Sequence, residues 1–176
     1  MKKRVLITVV SSLLIYLLVS WFFPYHSLTI FNSAKDEATN HMNAEFEQTK
    51  GEIKDVIDQN QDDSPYTNFL YTLETLEEGW DTLNNSVQMN SIIHMQTQLQ
   101  EEFDHLMTID RHYGLSEDDK TELHVLIDSI RLTEKQLIEV TNNPNMNRSE
   151  IEHHISQLTS SYLSLLERLH TLVTRL

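Results

Sequence analysis

Two pairs in this chain set a carboxylate and an imidazole one helical turn apart, Glu102-x-x-His105 and Glu150-x-x-His153. On a helix, positions i and i+3 share a face. Paired Glu-x-x-His units, joined by one further Glu from each of two other helices, hold two iron or manganese ions inside a four-helix bundle. Glu102, His105, Glu150 and His153 are therefore the candidate metal ligands. Against them, both pairs flank the apolar stripes of their segments rather than lying on them, and Glu150 has a competing role in a helix cap. With 27 acidic residues and nine His, such spacings also arise by chance. The sequence favours surface charge over a buried metal site, and no metal or cofactor is expected.

A second group, Asn90, His94, Thr97, Glu101 and Asp104, continues a heptad spacing that is apolar before it. It forms either a wet seam or ligand groove between helices, or a solvated face. Protonating His26, His41, His94, His105, His112, His124, His153, His154 and His170 would remove much negative charge between pH 7 and 5, but only His153 and His154 are adjacent. There is no Cys nucleophile, no Gly-x-Ser-x-Gly elbow and no phosphate-cradling glycine loop. The chain is not expected to be an enzyme.

Helices must position all of these groups. Ile151, Ile155, Leu158, Tyr162, Leu165, Leu169, Leu172 and Leu176 follow 4-3 spacing, the seam of a helix packed at a shallow left-handed angle. Leu163, Leu166 and Val173 broaden that stripe into a bundle face. Asn147 with Glu150 reads as a capping box opening this helix, and Pro144 ends the preceding one. That preceding helix starts at a Ser116 cap with Glu117, Asp118 and Asp119 in its positive first turn, after Gly114 as a left-handed helix terminator. Its apolar face is Leu123, Leu126, Ile127, Ile130, Leu137 and Val140.

Ser64-Pro65 opens another helix, with Phe69, Leu73, Leu76, Trp80, Leu83 and Val87 at heptad spacing. The apolar series then resumes at Ile92, Met95, Leu99, Phe103, Leu106 and Ile109 on a different face, so a break is expected between Asn84 and Ser91. Residues from Asn32 to Asn60 make a weaker amphipathic helix with Ala38, Met42, Phe46, Ile53, Val56 and Ile57 apolar. The expected helices span about 34–60, 65–84, 87–113, 117–142 and 148–175.

The N-terminus differs in kind. Met1-Lys2-Lys3-Arg4 precedes an uncharged run from Val5 to Phe23, which as a helix covers ~28 Å, about one hydrocarbon thickness. Val5, Leu13, Leu14, Leu17, Trp21, Phe22 and Phe23 would carry the membrane contact, with basic residues on the cytosolic flank and aromatic ones on the other. A cleaved signal peptide shares the positive start, but its apolar run is usually shorter and ends at small residues, where this one ends in Trp-Phe-Phe-Pro. The expected organisation is a cytosolic stub (1–4), a single-pass anchor (5–23), a linker (24–33) and an extracytoplasmic bundle (34–176). The fold class is all-α: a transmembrane helix followed by an antiparallel three- to four-helix bundle with left-handed coiled-coil-like packing.

All 27 acidic residues lie at or after Asp36, and from Pro24 onward they face 10 basic ones, a net charge of −17 with His neutral. Nucleic acid would be repelled by such a surface. Twelve acids and no Lys or Arg fall between Asp55 and Asp110, and the chain has no Cys for disulfides. The functional expectation is a non-enzymatic interaction or assembly module, contacting the bilayer through 5–23 and another protein or a second copy through the bundle. The alternative is a ligand- or cation-sensing module acting through another membrane protein.

Overall fold

The chain is all-helical and folds as a helical bundle. A computed structural model describes residues 9–18, 33–34, 39–60, 64–84, 87–143 and 146–176. Its helices are α1 (9–18), α2 (Thr39–Gln59), α3 (Ser64–Asn84), α4 (Met89–His112), α5 (Glu117–Asn142) and α6 (Arg148–Arg175). Two short extended segments, β1 (Ser33–Ala34) and β2 (Val87–Gln88), pair antiparallel, with Ser33 opposite Gln88 and Ala34 opposite Val87.

Helices α3, α4, α5 and α6 close a ring in which each packs on the next and α6 returns to α3, while α2 lies in the groove between α3 and α6. Bonds between helix ends fix the directions. Arg175 near the end of α6 donates to Glu122 near the start of α5 at 2.8 Å. His124 near the start of α5 faces Asp110 near the end of α4 at 3.2 Å. Asn68 early in α3 donates to the Tyr113 hydroxyl just beyond α4 at 2.8 Å, and Asn84 at the end of α3 donates to Asn43 near the start of α2 at 2.6 Å. Successive helices from α2 to α6 thus run antiparallel.

Side-chain spacing explains why these segments bury together. On α5, Leu123, Leu126, Ile130, Thr133, Leu137 and Val140 recur at 3-4 intervals and are all buried. The α6 series Ile151, Ile155, Leu158, Tyr162, Leu165, Leu169 and Leu172 is buried throughout. Phe46 of α2 stacks on Trp80 of α3 at 4.1 Å with the rings 6° from parallel, which seats α2 on the ring. Lys50 strengthens the same contact: burial lowers its proton affinity, but Glu47 and Glu77, at 2.7 and 3.0 Å, outweigh that and raise it.

The helix starts obey local chemistry. The Ser116 hydroxyl accepts from the Asp119 amide at 3.2 Å. Asn147 accepts from the Glu150 amide at 3.0 Å while the Glu150 carboxylate accepts from the Asn147 amide at 2.9 Å, a complete capping box.

The structure departs from the sequence reading in several places. Ala34 is extended rather than helical, and Val87 and Gln88 pair with β1 before α4 begins at Met89. Cross-strand pairing there satisfies backbone groups that a helix would have bonded internally. Gly114 does not take a left-handed conformation; α4 ends at Tyr113 in an extended geometry, with the Tyr113 amide bonded back to the Ile109 carbonyl and the Leu115 amide to the Tyr113 carbonyl. Among the described residues no helix is long and apolar enough to cross a membrane. The expected span 5–23 is described only over 9–18, so Val5, Trp21, Phe22 and Phe23 lie outside the described residues.

Candidate functional site

Polar side chains bridge α3 and α4: Thr72 to Glu102, Gln98 to Glu78 and Asn68 to the Tyr113 hydroxyl. The reason lies in the α4 stripe. Ile92, Met95, Leu99, Glu102, Leu106 and Ile109 recur at 3-4 intervals and are buried, so a glutamate occupies a seam position. Phe103, the residue that apolar character alone selects, is only partly buried. It turns toward α5, where with Gln100, Arg131 and Glu134 it lines an open cleft of about 230 Å³.

Glu102 has 0 % of its surface exposed. Its Oε1 accepts a hydrogen bond from the Thr72 hydroxyl of α3 at 2.5 Å, and its Oε2 has no partner among the described residues. Burial pushes the carboxyl up from 4.5 to about 7, with the Thr72 hydrogen bond pulling the other way. Removing a carboxylate from water disfavours the charged form, and one hydroxyl donor does not replace the lost hydration. Thr75, one turn on from Thr72, is buried as well.

Above this buried pair, the outer edge of the α3/α4 seam carries a row of titratable and aromatic groups. His105 Nε2 donates to the Asn68 carbonyl at 3.2 Å, and its ring meets Tyr71 edge-on at 5.1 Å. Glu78 accepts from Gln98 at 2.6 Å and from His94 at 3.4 Å. From α6, the Tyr162 phenol is pushed well above its usual range, first by burial and then by the Glu78 charge. The arrangement can hold and release a proton inside the bundle, and its outer rim offers carboxylate and imidazole groups to solvent.

The four candidate ligands do not converge. Glu102 points into the core while His105 stays at the rim on a backbone carbonyl. Glu150 is exposed and engaged in its cap. His153 is exposed, with its ring 6.1 Å from that of His154. Among the described residues no group of three or more His, Asp or Glu side chains could hold a metal ion. Asn90, His94, Thr97, Glu101 and Asp104 are all exposed: they form an outer face, of which only His94 reaches the α3/α4 rim.

Thr72, Thr75, Thr133 and Thr159 are buried polar residues that periodicity did not single out. Thr133 and Thr159 donate to the carbonyls of Ser129 and Ile155 in their own helices, at 3.0 and 2.9 Å, which lets them sit in apolar stripes. Thr72 differs because its hydroxyl crosses to another helix. The one signal for Glu102 was strict spacing: counting 3-4 from Met95 and Leu99 lands on 102.

No protein family matches the chain, and no curated protein or solved structure is significantly similar to it.

Proposed function

We propose that this protein is a non-enzymatic interaction module, tethered to a membrane by residues 5–23 and holding its helical bundle outside the cytosol. One observation carries the reading. Seven apolar side chains of α1 (Val9, Val10, Leu13, Leu14, Ile15, Leu17 and Leu18) are 45–62 % exposed, whereas the apolar side chains of the bundle are largely buried within it. An apolar helix bare on all sides in water is unfavourable at ~25 cal/mol per Å², and lipid removes that penalty. Lys2, Lys3 and Arg4 before it, against Lys35 alone in the next twenty residues, favour the cytosol for the stub and the outside for the bundle. The 4-3 spacing of α6 supports shallow left-handed packing within the bundle.

The interaction role follows from what the bundle offers: an acidic surface and no nucleophile or cofactor motif in the sequence. A partner of basic character, or a second copy meeting it through uncharged patches, suits that surface. Crosslinking in intact cells followed by mass spectrometry tests the role. A discrete crosslinked product at a reproducible bundle position supports it; a chain that is monomeric by light scattering and crosslinks to nothing overturns it.

The α3/α4 rim favours one alternative, a sensor of solutes or cations that acts through another membrane protein. Calorimetry of the full chain in micelles with calcium, zinc or iron separates the two readings, since binding heat is expected only of the sensor.

A further inference from the structure

Glu102 stands at the middle of the polar seam, and its surroundings define what ionisation would do. From α3 it meets Thr72, and that helix's titratable groups Tyr71, Glu74 and Glu78 stay toward the rim. On α4 itself, Glu101 is exposed and His105 is held by the Asn68 carbonyl. From α5, Arg131 and Glu134 line the outer cleft. From α6, Tyr162 is buried and the Arg168 Nε has no partner among the described residues. None of these charges contributes to the proton affinity of Glu102, which burial and Thr72 set between them. An ionised carboxylate at this position would keep one hydrogen bond and one bare oxygen in an apolar layer. A group so placed gains more from water than from its neighbours.

We propose that Glu102 is a proton-dependent latch: while protonated it lets α3 and α4 close over it, and on losing its proton it opens the seam between them to water. The inference rests on the bundle alone and stands whether or not the chain is tethered to a membrane. The rim of this seam is already polar: Gln98 and His94 meet Glu78, and His105 meets the Asn68 carbonyl. The opening is local, because α2 and α3 remain held to α6 by their own contacts. Such a latch gives the module a state that follows the pH of its compartment, with no ligand needed.

Hydrogen exchange read by mass spectrometry on the full-length chain in detergent micelles tests this, with rates corrected for the intrinsic pH dependence of exchange. If the open state gives Glu102 an ordinary carboxyl affinity, amides around Thr72 and Glu102 open about tenfold more between about pH 6 and about pH 8.5. In Glu102→Gln, which keeps the acceptor for Thr72 and cannot ionise, that increase is expected to vanish. An equal increase in Glu102→Gln would assign the response to His94, His105 or the general acidic charge and overturn the latch. No increase in the unaltered chain would overturn it as well. Should Glu102→Gln fail to fold, Thr72→Val provides the second reading. Removing the single hydrogen bond that favours the ionised form raises the closed-state proton affinity further, so the pH-dependent rise in opening grows larger and continues to higher pH, and an unchanged rise contradicts the proposal.

Discussion

The Tyr162 ring of α6 lies against the bare backbone of Gly79 on α3. A Cβ added at Gly79 would stand 2.6 Å from the ring Cζ and 2.7 Å from the phenolic oxygen. Gly79 is helical and its φ is ordinary, so space rather than backbone freedom explains the glycine. The missing side chain lets the largest residue of the α6 seam enter between α3 and α6, one residue before Trp80, on which Phe46 of α2 stacks.

Gly79→Ala should therefore destabilise the fold by about 1–3 kcal/mol, because overpacking outweighs the ~1 kcal/mol that alanine gains over glycine in a helix. Gly51→Ala is the matching control. That position is exposed in α2 with nothing within 4 Å of an added Cβ. It should gain stability, by up to ~1 kcal/mol. Denaturant titrations followed by circular dichroism would show opposite signs for the two glycines.

The buried carboxyl gives a pH dependence of defined sign. Glu102 binds its proton more tightly in the fold than in the unfolded chain, about 7 against 4.5. Its contribution is fully present below pH 4.5 and is lost as the pH rises through about 7. The total is about 3 kcal/mol at ~1.4 kcal/mol per unit. The stability of the unaltered chain relative to Glu102→Gln should fall by that order between acidic and mildly alkaline pH, read as a difference of midpoints in parallel titrations.

The cap of α6 is a reciprocal pair, so its parts should not add. Asn147→Ala removes the acceptor for the Glu150 amide and should lower stability by about 1 kcal/mol. Glu150→Ala removes the acceptor for the Asn147 amide. The double variant is expected to lose less than the two single losses combined, since each side chain holds the other's geometry. A double-mutant cycle in thermal unfolding checks this.

Leu13→Lys with Leu17→Lys places two charges on α1, at ~2.5–3.5 kcal/mol each in a membrane interior. The altered chain should leave the membrane fraction in an alkaline wash that the unaltered chain withstands.

Much of the bundle could be read from residue spacing because α5 and α6 keep one rule from end to end. Their caps are local: Ser116 and Asn147 act on amides three residues away, which a sequence displays directly. The α4 register was harder, since an apolar Phe103 sits beside an acidic Glu102 and hydrophobicity selects the wrong one. Only the position of Thr72, thirty residues earlier, makes a buried glutamate tolerable. The Gly79–Tyr162 contact was hidden for the same reason, as a glycine in a helix reads as a weakness until the ring that fills it is seen. The β1–β2 pairing joins segments more than fifty residues apart and leaves no local pattern.

The central claim is that the bundle stands outside the cytosol on an N-terminal tether. Because the chain has no Cys, Glu117→Cys at the start of α5, where the side chain is 90 % exposed, supplies a single thiol for a membrane-impermeant maleimide. Tethered as proposed, the thiol is labelled on intact cells to the same extent as after lysis. Labelling that appears only once the cells are broken would place the bundle in the cytosol and contradict the account.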